Sequence, residues 1–178
     1  MLVSRRGKAY KSFPQLSAAI GAAIPGQAVL DGEIVHLDAE RRPRFYDLMR
    51  RRAPQHYSAF DLVWLDGRDL LELPLIERKR RLKRLIRPPL FYVDHIEGRG
   101  ADLFEATCGR DLEGIMAKLA AGRCEPAATT WVKIKNRAYS QAEGRADFFA
   151  VTSTRTKAGL SATGARAGAY TAKKLLEP

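Results

Sequence analysis

Two spacings divide the apolar positions of the chain. Phe13, Leu16, Ile20 and Ile24 recur at helical intervals. Ser12-Phe13-Pro14-Gln15 has the form of a helix start, with Ser12 as N-cap, Gln15 at the reciprocal capping position and Pro14 in the first turn, and Pro25-Gly26 closes the segment. Leu75–Ile86 predicts a second helix, with Leu75, Leu82, Leu85 and Ile86 on one side and Arg78, Lys79, Arg80, Arg81, Lys83 and Arg84 covering the rest. Ala101–Cys108 reads as a short third. Strand-like runs occupy Ala28–Leu37, Tyr57–Leu65 and Leu90–Ile96, and Asp66-Gly67 after the second predicts a hairpin, because a type I′ turn needs positive φ. Leu2 and Val3 look like the end of a strand that runs into a basic turn, Ser4–Gly7.

Two further runs, Glu113–Lys118 and Trp131–Lys135, also have strand character. In the first, a carboxylate and a cation bracket an apolar middle, Ile115 to Ala117, expected to be buried. In the second, Lys133 and Lys135 project together, about 7 Å apart, while Val132 and Ile134 enter the core. Two amines so placed can clamp a polyanion. A carboxylate at the mouth of the neighbouring strand can hold a hard divalent cation that bridges to phosphate oxygens. Either run alone is most simply a solvated sheet face with a rim charge; the combination points to phosphate chemistry.

Charge agrees with that direction. Lys+Arg number 31 against 20 Asp+Glu, a net charge of +11 over 178 residues, so a polyanionic partner is expected, and phosphate contacts dominate nucleic-acid affinity. With 46% hydrophobic residues the chain suits one medium domain with a real core. Arg41–Arg52 carries six arginines against one acid and is either a short helix facing nucleic acid or a solvated charge run. Cys108 and Cys124 cannot form a disulfide scaffold, and His36, His56 and His95 share no zinc-ligand spacing. No apolar run approaches 18 residues and the N-terminus lacks a signal-peptide core, which implies a cytoplasmic protein and no membrane. After Phe149 the character changes to Gly, Ala, Ser and Thr, so 1–149 is expected to be the domain and 150–178 a basic tail, disordered or non-homologous.

Two positions stay open on spacing alone. Asp31 and Glu33 would share a strand face and send two carboxylates into one cleft, yet Asp31-Gly32 is equally a hairpin turn. Phe60 reads as core, the alternative being an aromatic wall for a base.

Taken in order, Ser4–Gly7 (SRRG), Leu30–Val35 (LDGEIV), Tyr57–Gly67 (YSAFDLVWLDG), Glu113–Lys118 (EGIMAK) and Trp131–Lys135 (WVKIK) resemble motifs Ia, III, IIIa, IV and V of the covalent nucleotidyltransferases. The match is to small bacterial ATP-dependent DNA ligases, which continue into a segment like Tyr139–Arg145 (YSQAEGR). Each motif is weak alone, and five in order are strong. The resemblance implies an α+β nucleotidyltransferase fold, the ligase adenylation domain, with antiparallel sheets flanked by helices. It implies ATP and Mg²⁺ as cofactors, nicked or broken duplex DNA as partner, and adenylyl transfer followed by phosphodiester formation in DNA repair and recombination.

By the same resemblance Glu33 would hold the nucleotide ribose or assist the metal, and Phe60 would stack on adenine. Glu113 would ligate magnesium, directly or through water. Lys133 and Lys135 would grip the α-phosphate, Lys118 would join the ATP site, and Arg5 would touch the 5′-phosphate side of a nick. The departure is the nucleophile. The family's attacking lysine lies in a Lys-x-Asp-Gly motif a few tens of residues before SRRG, and no such motif occurs in this sequence. The chain therefore reads as an adenylation domain truncated before that lysine, with its N-terminal strands missing. The alternatives are a non-catalytic DNA-binding remnant and an RNA ligase or capping-type nucleotidyltransferase.

Overall fold

The computed structural model describes residues 1–4, 7–125 and 131–142. Arg5 and the expected boundary and tail, 149/150 and 150–178, lie outside the described residues.

The chain is built on one long strand, β2 (Gln55–Leu65). β1 (Ala28–His36) runs antiparallel along one edge of it. The other edge takes two short strands: β3 (Arg68–Asp69), antiparallel at Trp64 and Leu65, and β4 (Phe91–Tyr92), parallel at Ser58 and Ala59. The β2–β3 hairpin turns at Asp66 (φ 44°) and Gly67 (φ 83°), the pair of positive φ values that the Asp-Gly signal requires. β5 (Gly114–Lys118) and β6 (Trp131–Lys135) form a separate antiparallel pair. The mixed α+β architecture with mainly antiparallel sheets agrees with expectation, apart from the parallel β4 contact and the reduction of the expected strand 90–96 to two residues.

Among the described residues, four α-helices flank the sheets: α1 (Pro14–Ala23), α2 (Phe45–Met49), α3 (Leu75–Leu85) and α4 (Gly100–Gly109). α1 begins at Phe13 without a side-chain cap, so the expected Ser12 capping box does not form; Pro14, with its φ already helical, starts the helix instead. α1 and α3 pack on β2, α2 on β1, and α4 on β5. Leu2, Tyr57, Ala59, Leu62, Leu82, Ile86 and Leu90 form the core, with Phe13, Leu16 and Ile20 closing it from α1. Leu2 reaches that core from a hairpin in which Tyr10 N–H donates to Leu2 O at 2.9 Å and Val3 bridges Ala9.

α3 departs from its expected pattern. Arg78 and Lys79 are buried along with Leu75 and Leu82, so two of the cations expected on the solvent side face the sheet. The reason is Asp61, at the centre of β2. Its two oxygens accept Arg78 Nε and Nη2, both at 2.9 Å, with the side chains 5% and 3% exposed respectively. A charge at that depth requires a counter-charge and a full set of hydrogen bonds, and the pair supplies both.

Gly32 settles the Asp31-Gly32 question in favour of a strand, since β1 runs through it opposite Ala59. A Cβ there would lie 2.5 Å from Tyr57 Cζ and 2.7 Å from Ser58 O. Tyr57 has no room to yield, being in the core with its hydroxyl donating to Leu30 O at 3.2 Å. Gly32→Ala is expected to cost about 1–3 kcal/mol through overpacking, measured as a lowered urea midpoint at unchanged slope.

Candidate active site

The β5–β6 register decides which side chains share a face. Lys118 faces Trp131, Met116 faces Lys133 and Gly114 faces Lys135, so Lys118, Lys133 and Lys135 project on one side. Ile115, Ile134, Ala117 and Val132 take the other. The expectation that this second set is core fails in part. Ile115 is buried, but Val132 is 62% and Ile134 38% exposed, and Ala117 is exposed as well. A two-stranded sheet has little to cover its far side: α4 packs on β5, and Ile134 lines an open concavity with Phe104 and Cys108.

Strict alternation would send Glu113 to the Ile115 side. Gly114 prevents this with φ +145°, a conformation open to glycine, and Glu113 instead bonds Lys133 Nζ directly. The side chains of this pair are 10% and 14% exposed, so Glu113 is a buried group and not the rim charge that the sequence also allowed. Asn136 locks the strand end: its N–H donates to Glu113 O at 2.8 Å and its Nδ2 to Leu112 O at 3.1 Å. Glu33 of β1 lines the same crevice as Glu113, together with Phe45 and Tyr139.

Phe60 enters from the other sheet. β2 carries one extra residue, Phe60, between the Asp31–Asp61 and Gly32–Ala59 pairs, a β-bulge of the kind that re-aims a side chain. The half-buried ring meets Lys118 Nζ at 5.1 Å from its centroid, a cation–π distance.

Gln141, in the turn after β6, ties that segment to the start of α2: its Oε1 accepts Phe45 N–H at 3.0 Å and its Nε2 donates to Pro43 O at 3.1 Å. Asp111 fixes the Gln141 turn by accepting Ser140 N–H at 2.8 Å.

Of the residues expected from sequence, Glu33 and Glu113 share a crevice, Glu113 joins Lys133, and Phe60 joins Lys118. Lys135 lies exposed at the end of β6, on the same face. Asp61, Arg78, Lys79 and Gln141 were not anticipated. The available signal was Asp61, a lone acid in an otherwise apolar run, which demands a buried cation somewhere.

Comparison with known proteins gives the family. A family model described as ATP dependent DNA ligase domain matches residues 1–135. The chain belongs to that family. A probable DNA ligase of Streptomyces coelicolor is 34% identical over 148 residues, covering 69% of this chain and 28% of the relative. A DNA ligase-like protein LigB of the SPbeta prophage in Bacillus subtilis is 31% identical, covering 72% of the chain and 50% of its own length. Among solved structures, the ligase domain of LigD from M. tuberculosis superposes with TM-score 0.64 at 31% identity, covering 75% of this chain and 46% of that one. A mycobacterial DNA ligase D complexed with ATP and MES gives 0.63 at the same identity and coverage. The chain thus spans half or less of each of these relatives. Among the described residues, no helix is long and apolar enough to cross a membrane.

Proposed function

We propose that this chain supplies the nucleotide- and phosphate-handling face of an ATP-dependent DNA ligase that seals nicks or breaks in duplex DNA, in the cytoplasm, during repair and recombination. The observation that carries the reading is the convergence of Glu113–Lys133 and Phe60–Lys118 on one face of β5–β6. Phe60 stacks on adenine, with Glu33 at the ribose. Lys133 and Lys135 hold the α-phosphate and offset charge that develops there in the transition state, Lys118 adds a third amine, and Arg5 meets the 5′-phosphate side of a nick.

The carboxylates of Glu33 and Glu113 fit Mg²⁺, which needs only one or two protein carboxylates when substrate phosphates and water complete its octahedron. Bound there, the ion would supply charge neutralisation at the phosphates. Lys133 holds the Glu113 carboxylate in place at that position.

The 178 residues contain no Lys-x-Asp-Gly, so the chain incubated with α-³²P-ATP and Mg²⁺ should show no labelled band on a denaturing gel. On nicked duplex already carrying a 5′-adenylate it should seal the nick, and Lys133→Ala or Glu113→Ala should slow sealing about 100-fold. DNA binding without sealing by the unaltered chain would replace this reading with that of a non-catalytic binding remnant. Sealing confined to RNA ends would assign it to RNA ligation.

A further inference from the structure

Lys79 is buried on α3, yet its partners are backbone carbonyls and a ring face rather than a carboxylate. Its Nζ donates to Val93 O at 2.8 Å and to Phe60 O at 3.4 Å, and lies 4.7 Å from the Tyr92 ring centroid. Placing an ammonium there costs free energy. Burial above all pushes its pKa down to about 8, with Lys118 and Lys83 adding to the shift and Asp61 and Asp94 opposing it. The neighbouring Arg78 has Asp61 to offset its charge; Lys79 has its position.

That position is the base of the Phe60 bulge. Val93 N–H donates to Ala59 O at 2.8 Å, so the residue before Phe60 is tied to the strand end at Val93, and the Lys79 ammonium ties Phe60 O and Val93 O to one another. The far side of the bulge presents the Phe60 ring to Lys118. A bulge is a local departure from the ladder whose geometry depends on what holds it, and Lys79 donates to the Phe60 carbonyl itself.

We propose that Lys79 is a positioning residue for base recognition: it holds the Phe60 backbone so that the ring is aimed at the nucleotide base, and the affinity for the base depends on it while the affinity for the phosphates does not. The inference rests on the reading of Phe60 as the base-stacking residue.

The test is calorimetric titration, in Mg²⁺, of ATP and of inorganic tripolyphosphate into the unaltered chain and into Lys79→Met, Lys79→Gln and Phe60→Ala. Lys79→Met should weaken ATP about tenfold, the order of one lost base–aromatic stack, and leave tripolyphosphate unchanged. Lys79→Gln, which keeps a donor and guards against a Met variant that does not fold, should fall between. Adding Lys79→Met to Phe60→Ala should weaken ATP no further, because both changes remove the same wall. Equal weakening of both ligands, or unaltered ATP affinity in Lys79→Met and Lys79→Gln, overturns the inference. If Phe60→Ala itself leaves ATP affinity unchanged, the reading of Phe60 is wrong and the role of Lys79 falls with it.

Discussion

Replacing Asp61 with alanine is expected to lower folding stability by about 3–5 kcal/mol, because it strands the Arg78 guanidinium in the interior. Arg78 makes four hydrogen bonds there: two to Asp61, one to Leu73 O at 2.5 Å and one to Gly122 O at 3.4 Å. Burial alone would lower the Arg78 pKa, but the bond to Asp61 and its charge more than offset that and raise it, so the guanidinium cannot escape by deprotonating. Asp61 also accepts the Leu62 N–H at 2.9 Å, a donor that alanine would leave without its acceptor.

The damage should spread to the site. Arg78 connects β2 to the loop that follows Lys118, where Leu75 N–H and Ile76 N–H donate to Gly122 O and Ala120 O. Loss of the Asp61 anchor loosens that loop and with it the Lys118–Phe60 contact. Urea unfolding of Asp61→Ala, Arg78→Met and Asp61→Leu/Arg78→Met checks the argument. The double variant, which removes both charges, should recover much of the loss, since an apolar pair of similar volume often matches a buried ion pair. A single Asp61→Ala change costing under about 1 kcal/mol, the range of exposed pairs, would show that water reaches Arg78.

What the sequence disclosed and what it withheld divide by range. Local chemistry was legible: the Asp66-Gly67 turn needs only its own φ values, and the strand character of the aromatic and branched run Tyr57–Leu65 needs only its neighbours. Four of the motif stretches fall on β1, β2, β5 and β6, so the family and the α+β architecture were legible too. Features set by contacts between distant segments were not. The cationic face of α3 looked solvated because nothing local says that Asp61, 17 residues away, will pull Arg78 inward. The Phe60 bulge is a mismatch between two strands and has no signature in either alone. The apolar alternation of β6 does define a face, but its burial depends on how many strands and helices cover that face, which spacing cannot count.

Gly114→Ala should be the most damaging single substitution in the β5–β6 unit. An added Cβ would sit 2.1 Å from Ile134 O and 3.0 Å from Lys135 Cα, both backbone atoms of the paired strand that cannot turn aside as a side chain can. The φ of +145° is a second penalty of about 1–3 kcal/mol for any residue with a Cβ, on top of about 1–3 kcal/mol for overpacking, so the pair is expected to lose roughly 2–6 kcal/mol and open locally. If alanine relaxes to ordinary strand φ, normal alternation returns and Glu113 turns to the Ile115 face, away from Lys133.

The substitution therefore separates the carboxylate from the amine without altering either group. Hydrogen exchange should accelerate at the β5 and β6 amides while β1–β2 keeps its protection, and sealing of pre-adenylylated nicks should fall about 100-fold, as for direct loss of Lys133. Gly109→Ala is the matched control: it closes α4 with nothing within 4 Å of an added Cβ, and should leave exchange and sealing unchanged or add a few tenths of a kcal/mol of stability. Full protection of β5–β6 and undiminished sealing in Gly114→Ala would mean that Glu113 reaches its place without the glycine, and that the Glu113–Lys133 pairing is not what the site depends on.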